Sequence, residues 1–295
     1  MLDRRIELLR VLEQAGTITE AAQLLQRSVS GYSRQLRSLA DELGVELLEH
    51  HGRQVRLTPA AHRLVGFAHD THTAWEQTKA SLAEDGEHVT GTLRIGAHPT
   101  ALSALVIPNL GGLAAQYPHL RISLSEAEAP QCFDQLIADD LDACIVATQA
   151  GVPTTSDRRF HQHRLLAEPI DALVASIHPA SGRMSIGLAE LAQYPWVLPA
   201  RGKSGHEEIL SACHAAGFVP PTNHYAHDTQ AVADLVQATG AVSLTSRFAN
   251  YRSEAVRIPL VGSPAPTRQL LLCTRAGTEI SGPVQTLMQL IGPRR

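Results

Sequence analysis

Between Ser28 and Leu39 the sequence SVSGYSRQLRSL places short hydroxyls and arginines at helical intervals. Tyr32, Leu36 and Leu39 recur on one face, so Ser30, Ser33, Arg34 and Arg37 are left pointing outward. A forked guanidinium can grip a guanine edge or a phosphate with two hydrogen bonds, and small hydroxyls fix register on a backbone, so this face suits a DNA major groove. Ser28 reads as the N-cap of this helix. Ahead of it, Thr17 or Thr19 caps a helix carrying Ala21, Ala22, Leu24 and Leu25, whose two alanines let a neighbouring helix approach closely. A first amphipathic helix bearing Ile6, Leu8, Leu9 and Leu12 ends near Gly16. A plain helical hairpin with solvated arginines has the same pattern over these residues alone, and the flanks decide between the two readings. Glu46 to Leu57 forms two short strands around Gly52, a basic wing in which Arg53 and Arg56 face DNA.

Other reactive side chains are numerous but poorly organised. His161 with His163, His224 with His227, and His206 come from a total of fifteen histidines, yet none has a cysteine or glutamate as a helical i+4 partner, so no metal site is expected. Cys132, Cys144, Cys213 and Cys273 form no CxxC and read as buried free thiols; a redox sensor needs two that meet in the fold, and their spacing gives no positive support for that. No G-x-S-x-G elbow, phosphate-binding glycine loop or H-E-x-x-H helix occurs, so no catalytic residues are assigned and an enzyme is not expected.

The elements that must carry these groups follow from patterning. A chain of 295 residues with 44% hydrophobic content can form two or three well-buried domains. Its net charge of −4 is uneven, because residues 27–63 hold six arginines against four acids and the remainder is correspondingly more acidic. A local basic excess on an acidic body suits reading one DNA site and avoiding the rest. Acids and arginines interrupt the N-terminal segment and no apolar run reaches bilayer length, so a cytoplasmic chain without membrane partners is expected. Thr58-Pro59 starts a long helix. Along it Ala61, Leu64, Ala68, Thr71, Trp75, Thr78 and Leu82 follow a heptad rhythm, which predicts pairing of two copies through Leu64, Ala68, Trp75 and Leu82. From Thr92 onward strands and helices alternate as a βαβαβ unit over 93–147, followed by a second set after His163 and a return by 269–274 and the helix 282–291.

ITEAAQLL, SVSGYSRQLRSL and LGVELLEHHGRQVRLTPAAHRLV together resemble the N-terminal domain of LysR-type transcriptional regulators. This chain differs from the usual pattern at Gly31, Tyr32, Ala40, Leu48 and His50. GTLRIGA, IPNLGGLAAQYPHLRISL, LIADDLDACIV and LAELAQYPWV resemble the effector-binding half of the same family, whose fold is shared with periplasmic solute-binding proteins. The resemblance implies an α/β protein with an N-terminal winged helix-turn-helix (1–58), a linker helix and hinge (59–91) and a two-lobed α/β effector domain (92–295). Lobe I would comprise 92–163 plus 267–295, and lobe II 164–266.

Such a fold places a small-molecule pocket where helix starts converge on strand ends. Helix starts at His98-Pro99-Thr100, at Ser204-Gly205-His206-Glu207 and at Asp228-Thr229, with Arg201 and Lys203 nearby, favour an anionic effector. His98, Thr100, Thr148, Ser204, His206, Thr229 and Thr245 are the candidate contacts, although Glu126 and Glu128 could instead hold an amine. The expected partners are a double-stranded operator with two-fold half-sites, the effector, a second copy as dimer or tetramer, and RNA polymerase; no cofactor is expected. A solute-binding protein that has lost specific DNA reading is the competing reading. It fits 92–295 and fails on 1–58.

Overall fold

A computed structural model of the chain describes residues 3–51, 54–84, 89–148, 152–202 and 205–292, and the fold divides into two compact units, 1–86 with 276–281 and 87–275 with 282–295.

Caps define the helices of the first unit. Asp3 accepts the Arg5 N–H at 2.8 Å and starts α1 (Arg4–Ala15). The helix stops at Gly16, whose φ of +74° is the left-handed conformation that a side chain would penalise. Thr17, and not Thr19, caps α2 (Ile18–Leu24), accepting the Glu20 N–H at 3.2 Å. Ser28 caps α3 (Val29–Leu43) by accepting the Gly31 N–H at 3.2 Å. The three helices bury Leu9, Leu12, Ala22, Tyr32, Leu36 and Leu39 together. Burial of each large aliphatic or aromatic side chain contributes about 1.5–3 kcal/mol. Strands β1 (Leu48–His51) and β2 (Gln54–Leu57) pair antiparallel as the predicted wing, with its turn at Gly52 and Arg53 outside the described residues.

Helix α4 (Pro59–Glu84) begins at Thr58, whose hydroxyl accepts the Ala61 N–H at 3.2 Å and donates to the Glu46 carbonyl at 2.7 Å. Here the heptad expectation is corrected. Ala61 and Ala68 are buried in the helix-turn-helix core of their own chain and Leu64 packs against it, so the first half of the stripe is used within the unit. Trp75 and Leu82 are exposed at 59% and 64%, joined by Phe67 at 55%. Small residues at the start of the stripe admit α1 closely, whereas the large residues toward its end extend past that core.

The second unit opens with β3 (Gly91–Ala97) and α5 (Pro99–Ala101). The first helical crossover of the βαβαβ unit is interrupted by a π segment (Leu102–Val106) and a 3-10 turn (Ile107–Asn109) before α6 (Leu110–Gln116). Pro108 lacks the N–H that would continue the ladder. Then come β4 (Leu120–Glu126), α7 (Ala129–Ile137) and β5 (Ala143–Ala147), and β3 pairs parallel with both of these strands, as the βαβαβ pattern requires. Strand β6 (Phe160–Val174) begins ahead of His163, the point after which the second set is predicted. It is followed by β7 (Ile186–Gly187), β8 (Trp196–Leu198), α8 (His206–Ala215), β9 (Thr222–Tyr225) and α9 (Thr229–Thr239). The chain ends through β10 (Ser243–Ser246), β11 (Val256–Ile258), β12 (Leu260–Val261), β13 (Thr267–Arg275) and α10 (Gly282–Ile291).

The main sheet runs β10-β6-β13-β5-β3-β4, with β11 also against β6. β6 and β13 lie antiparallel from Phe160 opposite Arg275 to Pro169 opposite Thr267, and together they form the spine shared by two lobes. Lobe I packs around Ile95, Ile145, Leu272 and Leu287. Lobe II packs around Leu191, Ile258 and the fully buried Trp196, whose indole N–H donates to the Leu191 carbonyl at 3.2 Å. Three of the four cysteines, which the sequence scatters, meet: Cys144 and Cys273 sit opposite each other on β5 and β13, and Cys132 of α7 joins the same apolar cluster. All four are buried free thiols.

Candidate functional site

The first site is the outer face of α3. Ser30, Arg34 and Arg37 share an exposed shallow groove with Ser38 and Asp41, one above the other at helical spacing. Ser33 is half-buried and, with Arg37, borders a second groove toward Ile18 and Glu46. Ser28 uses its hydroxyl on the Gly31 N–H, so its first task is the cap. Thr17 is likewise engaged with Glu20, while Thr19 is exposed in the first turn of α2. Arg56 is exposed on β2, opposite Glu49. Arg53 lies outside the described residues.

The face is held in place by Tyr32. Its ring is fully buried and its hydroxyl donates to the Leu8 carbonyl of α1. Burial pushes the phenol well above its ordinary pKa, so it remains a donor. A tyrosine where the family carries a small aliphatic is thus accommodated by a buried hydrogen bond between the recognition helix and the first helix.

The second site is a cleft of about 200 Å³ between the lobes of the second unit. His98, Thr100, Thr148, Thr229 and Thr245, all singled out from the sequence, line it. Ser204 and Lys203 lie outside the described residues, and Arg201 is exposed away from the lining. His206 does not line the cleft: its ring is buried, with Nδ1 2.6 Å from the Pro199 carbonyl oxygen. The S-x-x-E cap expected at Ser204 is also displaced, since the N-cap of α8 is Gly205 at φ +84°, a conformation that favours glycine. Arg201 does not line the cleft, and Arg268 is the arginine that does.

Those groups form a polar network that sequence reading missed. Glu168 of β6 is wholly buried; one carboxylate oxygen accepts from the Ser246 hydroxyl and, at 3.0 Å, from the Phe248 N–H, while the other accepts from Arg268 Nε at 2.5 Å. Arg268 of β13 donates through Nη2 to Thr100 Oγ1 at 2.6 Å, and Thr100 Oγ1 lies 3.0 Å from His98 Nδ1. With its lone pair facing Arg268, the Thr100 hydroxyl directs its proton to His98 Nδ1, which assigns the neutral Nε2–H tautomer. Burial, and then the Arg268 charge, depress His98 to about 4. Glu208 of α8, which also lines the cleft, is pushed up by burial against the opposing effect of the Arg268 charge. His227 lies 3.4 Å from Glu128 and also lines the cleft. Arginine and glutamate in strands give no local sequence signal; only the pairing of β6 with β13, which sets Arg268 opposite Glu168, brings them together.

Thiol chemistry is not prepared in this unit. Burial and the neighbouring Cys132 and Cys273 push Cys144 well up, and burial pushes Cys213 up to about 12, so neither carries thiolate at neutral pH. Among the described residues no group of three or more His, Cys, Asp or Glu is arranged to hold a metal ion, and no helix is long and apolar enough to cross a membrane.

A winged helix-turn-helix with an exposed Ser/Arg face, together with a two-lobed α/β unit enclosing a polar cleft, defines the class of ligand-responsive DNA-binding regulators. The comparisons agree: the model for the LysR substrate binding domain matches residues 86–294, and that for the bacterial regulatory helix-turn-helix protein of the lysR family matches 4–62. The chain belongs to the LysR family of transcriptional regulators. It is 28% identical to the DNA-binding transcriptional dual regulator OxyR of Escherichia coli K12, over 99% of this chain and 95% of that protein. It is also 28% identical to the transcriptional dual regulator GltC of Bacillus subtilis, over 78% of this chain and 77% of that one. Among solved structures, a full-length OxyR variant from Pseudomonas aeruginosa shares the fold with TM-score 0.61 at 21% identity, covering 97% of this chain and 93% of that one. Full-length BenM does so with TM-score 0.59 at 22% identity, covering 98% and 94%.

Proposed function

We propose that this regulator acts in the cytoplasm as a dimer or tetramer that lays two α3 helices in successive major grooves of a two-fold operator and contacts RNA polymerase from there. The observation that carries this reading is the exposed Ser30-Arg34-Arg37 stripe on a capped helix anchored by Tyr32. Arg53 and Arg56 of the wing touch flanking DNA, and the exposed half of the α4 stripe, Trp75 and Leu82, pairs the copies. The cleft holds a small effector bearing a carboxylate or other anionic group, with Thr100, Arg268, Thr148, Thr229 and Thr245 as its contacts. It shifts the equilibrium between lobe arrangements only by binding one better than the other. Several relatives are named hydrogen peroxide-inducible genes activators. In this chain the buried thiols, two of them with raised pKa, favour a bound effector over thiol oxidation as the signal.

The test is selection of bound duplexes from a random library at moderate salt. Enrichment of a site whose half-sites lie about one helical turn or a multiple apart supports the reading. Retention without sequence preference overturns it.

A further inference from the structure

The charges around the cleft specify more than an anion. Arg268 is the cation facing it, but its Nε is committed to the buried Glu168, so that pair carries no net charge. His98 is neutral, and His227 stands beside its own carboxylate, Glu128. Glu208 remains. It lines the wall at the third position of α8, and among the described residues it has no ion-pair partner and no hydrogen bond to the N–H of Gly205. A simple anion seated on Arg268 would be brought near the Glu208 carboxylate in a cleft of about 200 Å³. A simple cation seated on Glu208 would face Arg268. Both groups are satisfied by a molecule that carries both charges. A cleft of about 200 Å³ has room for a molecule of about the size of a free amino acid.

We infer that the effector is a small zwitterion, an α-amino acid or a compound of the same charge layout, with its carboxylate on the guanidinium N–H groups of Arg268 not used by Glu168 and Thr100, and its ammonium on Glu208. This rests on the cleft being the effector site. It narrows the chemistry of that site to a pair of opposite charges on the lining of one cleft.

The test is isothermal titration of the full chain with the common L-amino acids, each beside its deaminated carboxylate and its decarboxylated amine. At least one amino acid binds roughly ten-fold or more tighter than both counterparts, a difference of about 1.4 kcal/mol. In Glu208→Gln that preference collapses to the level of the carboxylate, while affinity for the carboxylate itself holds or rises. Carboxylates that bind the wild-type chain as tightly as the amino acids overturn the zwitterion and leave the site standing. Absence of binding by every probe overturns it as well. Binding that survives the cavity-filling Val232→Trp variant overturns the cleft as the site, and with it the reading beneath. Melting curves of both variants confirm that they fold.

Discussion

Thr100 and Arg268 stand 168 positions apart in the chain, yet Oγ1 and Nη2 are 2.6 Å apart at the wall of the cleft. The contact ties the start of the α5 segment in lobe I to the strand that crosses between lobes, and through Arg268 it reaches the buried Glu168. Removing Arg268 would leave that carboxylate without its ion-pair partner. Arg268→Ala is expected to destabilise the second unit by roughly 3–5 kcal/mol, and adding Glu168→Gln to restore part of the loss. Urea unfolding followed by Trp196 fluorescence in a Trp75→Phe background isolates this unit. Equal loss in single and double variants would disprove the coupling.

His98 gives the same unit a pH dependence with a defined sign. Its folded pKa, about 4, lies below the ordinary value of 6.5, so the unfolded chain binds the proton more tightly. Stability from this residue is complete above pH 6.5 and is lost as pH falls toward 4, by on the order of 3 kcal/mol at most. His98→Asn should flatten the stability profile between those limits relative to wild type. An unchanged slope would show that the imidazole binds its proton equally well in the folded and unfolded chain.

In the first unit, Tyr32→Phe deletes the hydroxyl and leaves the Leu8 carbonyl without that donor. The carbonyl keeps its helical N–H partner within α1, so the cost is that of one lost hydrogen bond, roughly 0.5–1.5 kcal/mol. Thermal melting should register it, together with weaker operator binding at temperatures near the new midpoint. A melting temperature equal to wild type would mean that the hydroxyl contributes nothing net.

The two halves of the α4 stripe should respond oppositely to substitution. Ala68→Leu overpacks the chain's own core at a cost of roughly 1–3 kcal/mol. Trp75→Ala removes an exposed ring, leaves that core alone and raises the concentration at which copies dissociate. Sedimentation velocity beside melting curves separates the two effects. A Trp75→Ala chain that associates like wild type would move the pairing surface elsewhere.

On DNA, Arg34→Ala should weaken binding to the selected operator by roughly 1–3 kcal/mol and relax base preference, whereas Arg56→Ala should weaken all sequences alike and reduce the salt slope by about 0.9. Fluorescence anisotropy over a salt series distinguishes base reading from phosphate contact. Unchanged affinity in both variants would remove α3 and the wing from the interface.

Local signals made much of this molecule legible in its sequence. Thr58-Pro59, Ser28, Gly16 and Asp228 mark helix ends because a hydroxyl, a carboxylate or a left-handed glycine acts within a few residues of its own position. Alternation and apolar runs likewise located the parallel βαβαβ core. Long-range pairing was not legible. Nothing near Arg268 announces Glu168, and nothing near Cys144 announces Cys273, because strand register alone sets each pair opposite. The α4 heptad was visible, but its division between an inner partner and an exposed end depends on where the helix-turn-helix core stops. His206 was drawn toward the cleft by its place beside a helix start, while its ring turned to the Pro199 carbonyl instead.

The position of β13 also bears on how the chain emerges from a ribosome. This strand follows β5 by about 120 residues, yet it lies beside it in the sheet, between β6 and β5. Lobe II can gather its Trp196-centred core while the rest of the chain is still being translated, but β5 waits exposed on one edge until residue 275 clears the exit tunnel. With synthesis running at about 5–20 residues per second, that edge stands open for several seconds. The nascent chain is most vulnerable to mispairing and chaperone capture during that interval, and slow translation of the segment from β6 to β13 would lengthen it.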